Sequence, residues 1–355
     1  MILAPWPTPG AGGWHSVGVQ RLNGLEAVPP AFGPSVVTIG NFDGVHRGHQ
    51  AVLGEVAAAA RRQGLRSVAV TFEPHPVAVL FPDRAPAVLT PLDVKLDLLA
   101  ATGLDAVLVL PFTQEFARWT PERFVKEVFV DALRAKLVVV GRDTRFGYRN
   151  SGDVGTLREL GDELGFEVQV VHEVGVPAEG RAENQEPHRG PRWSSSLVRD
   201  LLARGDVGHA AHILGRPHRV SGVVVHGDHR GRGLGYPTAN LAPDVVGEVP
   251  ADGVYAGRLL QPRLPTGAPD ADLPAAISIG TNPTFDGRQR RVEAYVLDRD
   301  DLDLYGERVV LEFIQRLRPT LRFDGVGALV AQMSDDVARS RDVLGVPQPS
   351  ATTGP

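Results

Sequence analysis

Short β-branched runs alternate with helical stretches through the first half of the chain, whereas short strands broken by Gly and Pro fill most of the second. Ser35 to Ile39 reads as a strand. Gln50 to Gln63 then carries apolar or small residues at helical spacing, among them Val52, Leu53, Val56 and Ala60, with Gly64 as a stop. Ser67 to Phe72, Ala106 to Leu110 and Leu137 to Val140 continue the strands, with helical segments near Asp93 to Ala101 and Pro121 to Arg134 between them. Strand and helix in alternation predict a doubly wound α/β sheet with parallel strands. The strand ends carry unusual loops: Gly40 onward, Glu73-Pro74-His75-Pro76 and Gly141-Arg142-Asp143. In open α/β sheets that edge is where ligands bind.

The pattern is lost at Gly175 to Pro191, a stretch without periodicity that reads as a loop or insertion. Ser194 precedes a helix over Leu197 to Ala203, and another near Val207 to Leu214 stops at Gly215. Beyond it, Arg219 to His226, Gly253 to Leu260, Ala275 to Ile279, Arg291 to Leu297 and Arg308 to Ile314 predict a small β-barrel. Gln261 to Leu273 reads as a polar hairpin tip, and a last helix spans Val326 to Leu344. The expected organisation is an extension over 1–20, a first domain over 21–204, a second over 205–346 and a disordered tail over 347–355.

At 355 residues two domains are the default, and 43% apolar against 22% charged residues fits a globular chain. No apolar run approaches the roughly 18 residues of a membrane span. Met1 to Gly13 lacks the basic start and apolar run of a signal peptide, so a cytoplasmic location is expected. The absence of cysteine excludes disulfides, thiolate metal sites and cysteine nucleophiles. A net charge of −5 with scattered Lys and Arg gives no reason to expect a nucleic-acid partner, while small anions remain suitable ligands. Self-association is left open.

Gly40-Asn41-Phe42-Asp43-Gly44-Val45-His46-Arg47-Gly48-His49 lies between the first predicted strand and its helix. Orphan N–H groups and the dipole of a helix start attract anions there. His46 and His49, three apart, share a side of the first turn and can donate to phosphate oxygens, while Gly44 and Gly48 allow close backbone approach. An isolated His-x-x-His is more often a pair of satisfied polar residues. Zinc is another reading, although helical zinc ligands usually sit four apart and no third ligand is evident.

The decapeptide resembles the signature of bacterial bifunctional riboflavin kinase/FMN adenylyltransferases. Phe72-Glu73-Pro74-His75-Pro76, Val140-Gly141-Arg142-Asp143-Thr144-Arg145-Phe146-Gly147 and Arg192 to Arg199 resemble the same family's next motifs, in order. The resemblance implies a Rossmann-like nucleotidyltransferase domain in which His46 and His49 act in adenylyl transfer. It implies ATP or phosphate contacts for Gly40, Phe42, Asp43, Gly44, Gly48, Asp143, Arg192, Ser195, Ser196 and Arg199. Ser196 stands where the family has Thr and keeps the hydroxyl, whereas Thr144 replaces an aromatic and loses a stacking surface. Ser195 and Ser196 also suit helix caps, and both roles are compatible. The implied chemistry is attack of the FMN phosphate on the α-phosphorus of ATP. The nucleophile is already anionic, so positioning and charge neutralisation suffice.

In the second half no Walker motif or protein-kinase loop exists. His226-Gly227-Asp228-His229-Arg230-Gly231-Arg232-Gly233-Leu234-Gly235-Tyr236-Pro237-Thr238-Ala239-Asn240 puts four glycines beside two arginines. Thr238 and Asn240, two apart, face one side of an extended chain and suit a hard cation such as Mg²⁺. This string resembles the riboflavin kinase signature, and Gly253-Val254-Tyr255, Asn282-Pro283-Thr284-Phe285, Val292-Glu293-Ala294-Tyr295 and Leu304-Tyr305-Gly306 follow in family order. The resemblance implies that Thr238 and Asn240 hold Mg²⁺–nucleotide, that Gly231, Arg232 and Gly235 line phosphate, and that Glu293 is the catalytic base. It further implies flavin contacts for Tyr255 and Arg318, the latter in Leu317-Arg318-Pro319, where Thr320 replaces the usual acid. Glu293 would share its strand face with Tyr295, opposite Val292, Ala294 and Val296. The expected substrates are ATP, riboflavin and FMN. The alternative of a different class is a flavin-binding protein without catalysis, which has no use for a base at the phosphate acceptor.

Overall fold

The computed structural model describes residues 19–171, 193–227, 235–281 and 290–347. The chain divides between Ser195 and Ser196 into two compact units.

The first unit is a six-stranded, wholly parallel sheet in the order β1-β4-β3-β2-β5-β6. Its strands are β1 (Gln20–Asn23), β2 (Ser35–Ile39), β3 (Arg66–Glu73), β4 (Ala106–Pro111), β5 (Ala135–Gly141) and β6 (Glu167–Val171). The helices are α1 (Arg47–Gln63), α2 (Pro76–Leu80), α3 (Leu92–Ala100), α4 (Pro121–Phe124, continuing as π-helix over Val125–Ala132) and α5 (Val154–Leu164). β2, β3 and β5 contain uninterrupted buried residues, as strands covered on both faces require. One face packs Val37, Leu108 and Val138 against Phe129 and Leu157, while Leu53 and Val56 of α1 are fully buried and α1 packs on β2 and β3. The chain winds outward from β2 through β3 to β4, then crosses to β5. The switch in direction therefore falls between β2 and β5, which places the loops after Ile39 and Gly141 side by side.

The doubly wound sheet agrees with the sequence pattern, with differences at its margins. β1 begins at Gln20, inside the expected extension, because Gln20 to Asn23 finds a partner along β4. β6 and α5, absent from the sequence reading, complete the unit, and Arg47 to His49 extend α1 upstream of the expected start. Residues 175–191 and the tail from 348 lie outside the described residues.

The second unit is a closed antiparallel barrel in the order β10-β11-β8-β7-β12-β9. Its strands are β7 (His218–Val225), β8 (Ala239–Leu241), β9 (Gly253–Leu260), β10 (Asp272–Thr281), β11 (Arg290–Val296) and β12 (Arg308–Arg318). β8 was not expected as a strand, and β10 starts within the expected hairpin tip. α6 (Ser195–Ala203), α7 (Val207–Leu214) and α8 (Val326–Leu344) are the remaining helices. α7 packs on β7 and β12, and α8 on β9, β10 and β12. From Ser196 onward α6 belongs with the barrel, although the motif content placed the boundary after residue 204. The reason is local bonding: Ala251 N–H donates to the Leu202 carbonyl, and the Arg316 guanidinium to that of Arg204. Among the described residues no helix is long and apolar enough to cross a membrane.

His218 opens β7 at 3% exposure, with Nε2 2.6 Å from the Glu248 carbonyl and its ring facing Phe313. Burial, more than the nearby Arg216 charge, pushes its pKa from 6.5 down to about 4, against the opposing hydrogen bond. The folded barrel thus holds it neutral while the unfolded chain protonates it near 6.5. Its contribution is whole above about pH 6.5 and declines as pH falls toward 4, by a total of roughly 3 kcal/mol. Urea unfolding at pH 7 and pH 4.5 is expected to show a larger loss for the native chain than for His218→Gln. Equal losses would remove His218 as the cause.

Candidate active sites

The first site is built at the switch point. Between Gly40 and α1, Phe42 (φ 49°), Gly44 (φ 80°) and Val45 (φ 38°) adopt left-handed conformations, two of them in residues with a Cβ. The surroundings enforce this strain. Phe42 and Val45 are buried at 2% and 1% exposure, Gln50 Nε2 donates to the Val45 carbonyl at 2.8 Å, and Val45 N–H to that of Phe42 at 3.0 Å. The turn delivers His46 as the N-cap of α1, where its Nδ1 accepts the His49 N–H at 3.3 Å. A nitrogen that accepts an N–H carries no proton, so in the neutral ring the proton is on Nε2. The His46 and His49 rings are stacked at 3.6 Å, and Phe42 meets His49 edge-on at 5.3 Å. A Cβ at Gly48 would lie 3.1 Å from the His46 ring, so glycine leaves room for the imidazole there.

The other expected residues are distributed unevenly. Gly40 leaves space for the Phe42 ring, which a Cβ would approach to 3.0 Å. Asp43 is 3% exposed, and its two carboxylate oxygens accept the N–H groups of Leu89 and Thr90 at 3.1 Å each, which braces the loop. The buried Phe42 ring likewise shapes the loop from within. Ser195 is brought to the loop, its hydroxyl donating to the Asp43 carbonyl at 2.8 Å. Asp143 stands just after β5, across the switch point from Gly40. Ser196 and Arg199 belong to the second compact unit, and Arg192 lies outside the described residues.

In the barrel, antiparallel register sets the second site. Glu293 on β11 is the direct cross-strand partner of Asn240 on β8. Directly opposed residues project to the same face with Cβ atoms about 5 Å apart. Val292, Ala294 and Val296 are buried, while Glu293 and Tyr295 are half-buried on the other face, as the alternation predicted. Asn240 Nδ2 donates to both the carbonyl and Oγ1 of Thr238 at 3.2 Å, which draws the two expected metal ligands together. The amide lies against Gly227, where a Cβ would come within 2.6 Å of it. Sequence reasoning named Gly227 only as the head of a glycine-rich string; its demand for a missing side chain is set by β8 and is not visible locally. Tyr236 and Tyr295 meet edge-on at 5.2 Å, a pairing that spacing does not announce.

Tyr255 and Arg318, both expected at the flavin, are held within the second unit. Tyr255 has no exposed surface: its ring packs edge-on against Phe313 at 5.3 Å and its hydroxyl donates to the Ala251 carbonyl, so it is part of the core. Arg318 is bound to Asp336 of α8 through Nε and Nη2 and to the Pro319 carbonyl through Nη1, which makes it a strap between β12 and α8. Gly235 is described, with φ 86°, whereas Gly231 and Arg232 lie outside the described residues.

Among the described residues no group of three His, Cys, Asp or Glu is arranged to hold a metal ion, so zinc at His46 and His49 finds no third ligand there. Thr238 and Asn240 suit Mg²⁺ differently. This ion is usually held by few protein oxygens, with substrate phosphates and water completing its shell.

The sequence profile of FAD synthetases matches residues 29–181, and that of riboflavin kinases residues 214–344. The chain is 38% identical over 332 residues to the bifunctional riboflavin kinase/FMN adenylyltransferase of Escherichia coli strain K12, which covers 94% of this chain and 99% of that one. It is 35% identical to the protein of that name from Listeria monocytogenes, over 86% of this chain and 91% of the relative. A crystal structure described as a macrolide-efflux protein from Streptococcus pneumoniae superposes with a TM-score of 0.76 at 30% identity, covering 91% and 99% of the two chains. Two profiles in order, and a relative matched along almost its whole length, lead to one conclusion: the chain belongs to the family of bifunctional riboflavin kinase/FMN adenylyltransferases.

Proposed function

We infer that the chain makes FAD from riboflavin in two steps, phosphorylation to FMN on the barrel and adenylylation of FMN on the parallel sheet, with ATP as donor in both. The observation that carries the kinase step is the register of Glu293 opposite Asn240. In that step the terminal ribityl hydroxyl attacks the γ-phosphorus. The new bond joins the ribityl oxygen to phosphorus, the bond to the β-phosphate oxygen breaks, ADP leaves, and Glu293 takes the hydroxyl proton. An alcohol is barely acidic, so a positioned carboxylate is useful. Thr238 Oγ1 and the Asn240 amide oxygen would hold Mg²⁺, which when bound neutralises charge on the nucleotide phosphates.

On the sheet, a phosphate oxygen of FMN attacks the α-phosphorus, the bond to the β-phosphate breaks and pyrophosphate leaves. His46 presents Nε2–H toward the nucleotide, His49 stacks on it and adds its own donor, and the first N–H groups of α1 lie at the positive end of the helix. Asp143, just after β5, and Ser195, whose hydroxyl donates to the Asp43 carbonyl, are assigned to the same site within this unit.

The test is incubation of the full chain with riboflavin, ATP and Mg²⁺, with chromatographic resolution of products. Both FMN and FAD are expected. FMN alone would confine activity to the barrel, and neither product would sink the assignment.

A further inference from the structure

Lys95, on α3, is 6% exposed. A lysine is rarely so buried unless its charge is matched. Its ammonium donates to the Phe72 carbonyl at 3.3 Å and stands 3.9 Å from the Glu73 carboxylate. These two residues end β3, where the Glu73-Pro74-His75-Pro76 turn departs. The Asp43 carboxylate also acts on it. Asp43 in turn accepts the N–H groups of Leu89 and Thr90, just ahead of α3, while its carbonyl receives the Ser195 hydroxyl. The ammonium thus joins α3 to the end of β3, and the charge of Asp43, in the loop that carries His46 and His49, acts on it.

Packing alone does not account for a charge at this place. Burial pushes the Lys95 pKa down, and the Glu73 and Asp43 charges work against that push. An apolar side chain of similar length would fill the volume without desolvating an ion. What the ammonium adds is a positive charge 3.9 Å from the Glu73 carboxylate and within the field of Asp43, which belongs to a loop assigned to a triphosphate. Without it, both carboxylates would direct an uncompensated field at an incoming polyanion. Asp43 would do so from a buried position, where screening is weak, and Glu73 from a more open one.

We propose that Lys95 is a positioning residue for adenylyl transfer: its ammonium holds the end of β3 and sets a positive charge against Glu73 and the Asp43 carboxylate of the nucleotide loop, so that the loop accepts ATP. This rests on the assignment of adenylyl transfer to the first unit.

The test is steady-state adenylylation of supplied FMN by the full chain with ATP varied. Lys95→Met is expected to raise the KM for ATP about tenfold, equivalent to roughly 1.4 kcal/mol, with a smaller change in kcat. FMN formation from riboflavin is expected to stay as it was. Adding Glu73→Gln to Lys95→Met should recover most of the lost ATP affinity, because it removes a carboxylate left without its counter-charge; a purely space-filling lysine would not be rescued this way. An unchanged KM in Lys95→Met, or a double variant no better than the single one, overturns the proposal. If Lys95→Met does not fold, Glu73→Gln alone decides: a lower KM for ATP supports it, and an unchanged or higher KM overturns it. Absence of FAD formation by the unsubstituted chain overturns the underlying assignment as well, whereas normal turnover with no response to these substitutions overturns only the role of Lys95.

Discussion

Replacing Glu293 by Gln is expected to lower FMN formation by about 10² to 10⁴-fold, the usual span of a lost general base, while supplied FMN is still converted to FAD. The substitution keeps size and shape in a half-buried side chain on the outer face of β11, so the barrel interior formed by Val292, Ala294 and Val296 is untouched. The amide can still hydrogen-bond but cannot take the ribityl proton. Because the hydroxyl must lose that proton as the bond to phosphorus forms, the loss belongs in kcat, with the KM for ATP nearly constant. Parallel initial-rate measurements with riboflavin and with FMN as substrate check this. A Glu293→Gln variant that phosphorylates riboflavin at the native rate would remove Glu293 as the base, and loss of both reactions would refute independent sites.

The converse is expected at the other site, where His46→Asn and His49→Ala should each reduce FAD formation by roughly 10² to 10³-fold, the cost of one preorganised donor to a developing charge. FMN formation from riboflavin should continue. The choice of Asn in place of His46 follows from the structure. His46 caps α1 by accepting the His49 N–H, and its simple removal would cost the helix about 1 kcal/mol, mixing stability with chemistry. Asn is a good cap, yet it is too short to carry a donor to where Nε2 lies. His49→Ala leaves the cap acceptor in place and removes the ring stacked at 3.6 Å. Both losses should persist at saturating ATP if the histidines act on the transition state. Full recovery at high ATP would reduce them to ground-state binding.

The sheet and barrel were legible because their signals are local. β2 and β9 and the helices α7 and α8 coincide with their sequence patterns, each bounded by Gly or by a change of period. α5 had a signal that went unread: Asp153 and Thr156 form a reciprocal cap and Gly165 ends the helix at φ 81°. β1 had none, since four residues become a strand only by pairing with β4. The π-helical stretch after Phe124 has no sequence mark either. For the candidate sites, motifs named His46, His49, Thr238, Asn240 and Glu293, and turn and register set where these side chains stand. Asp43, Tyr255 and Arg318 came from motifs too, and a motif does not announce that Asp43 braces the loop, Tyr255 fills the core and Arg318 straps a helix, because those contacts are made by residues distant in sequence.

The register of β11 against β8 has a consequence for how this half tolerates change in length. Side chains on a strand alternate with a strict period of two, so one residue inserted into β11 ahead of Glu293 would turn the carboxylate toward the barrel interior and bring an aliphatic group out beside Asn240. Two inserted residues would restore its facing while carrying it past its partner. Within β11, therefore, chain length is counted in single residues, whereas the turn over 261–271 joins β9 to β10 across the same sheet and can lengthen without altering that parity. The spacing of Glu293 from Asn240 is kept by a ladder of peptide groups, and the barrel acts as its own ruler.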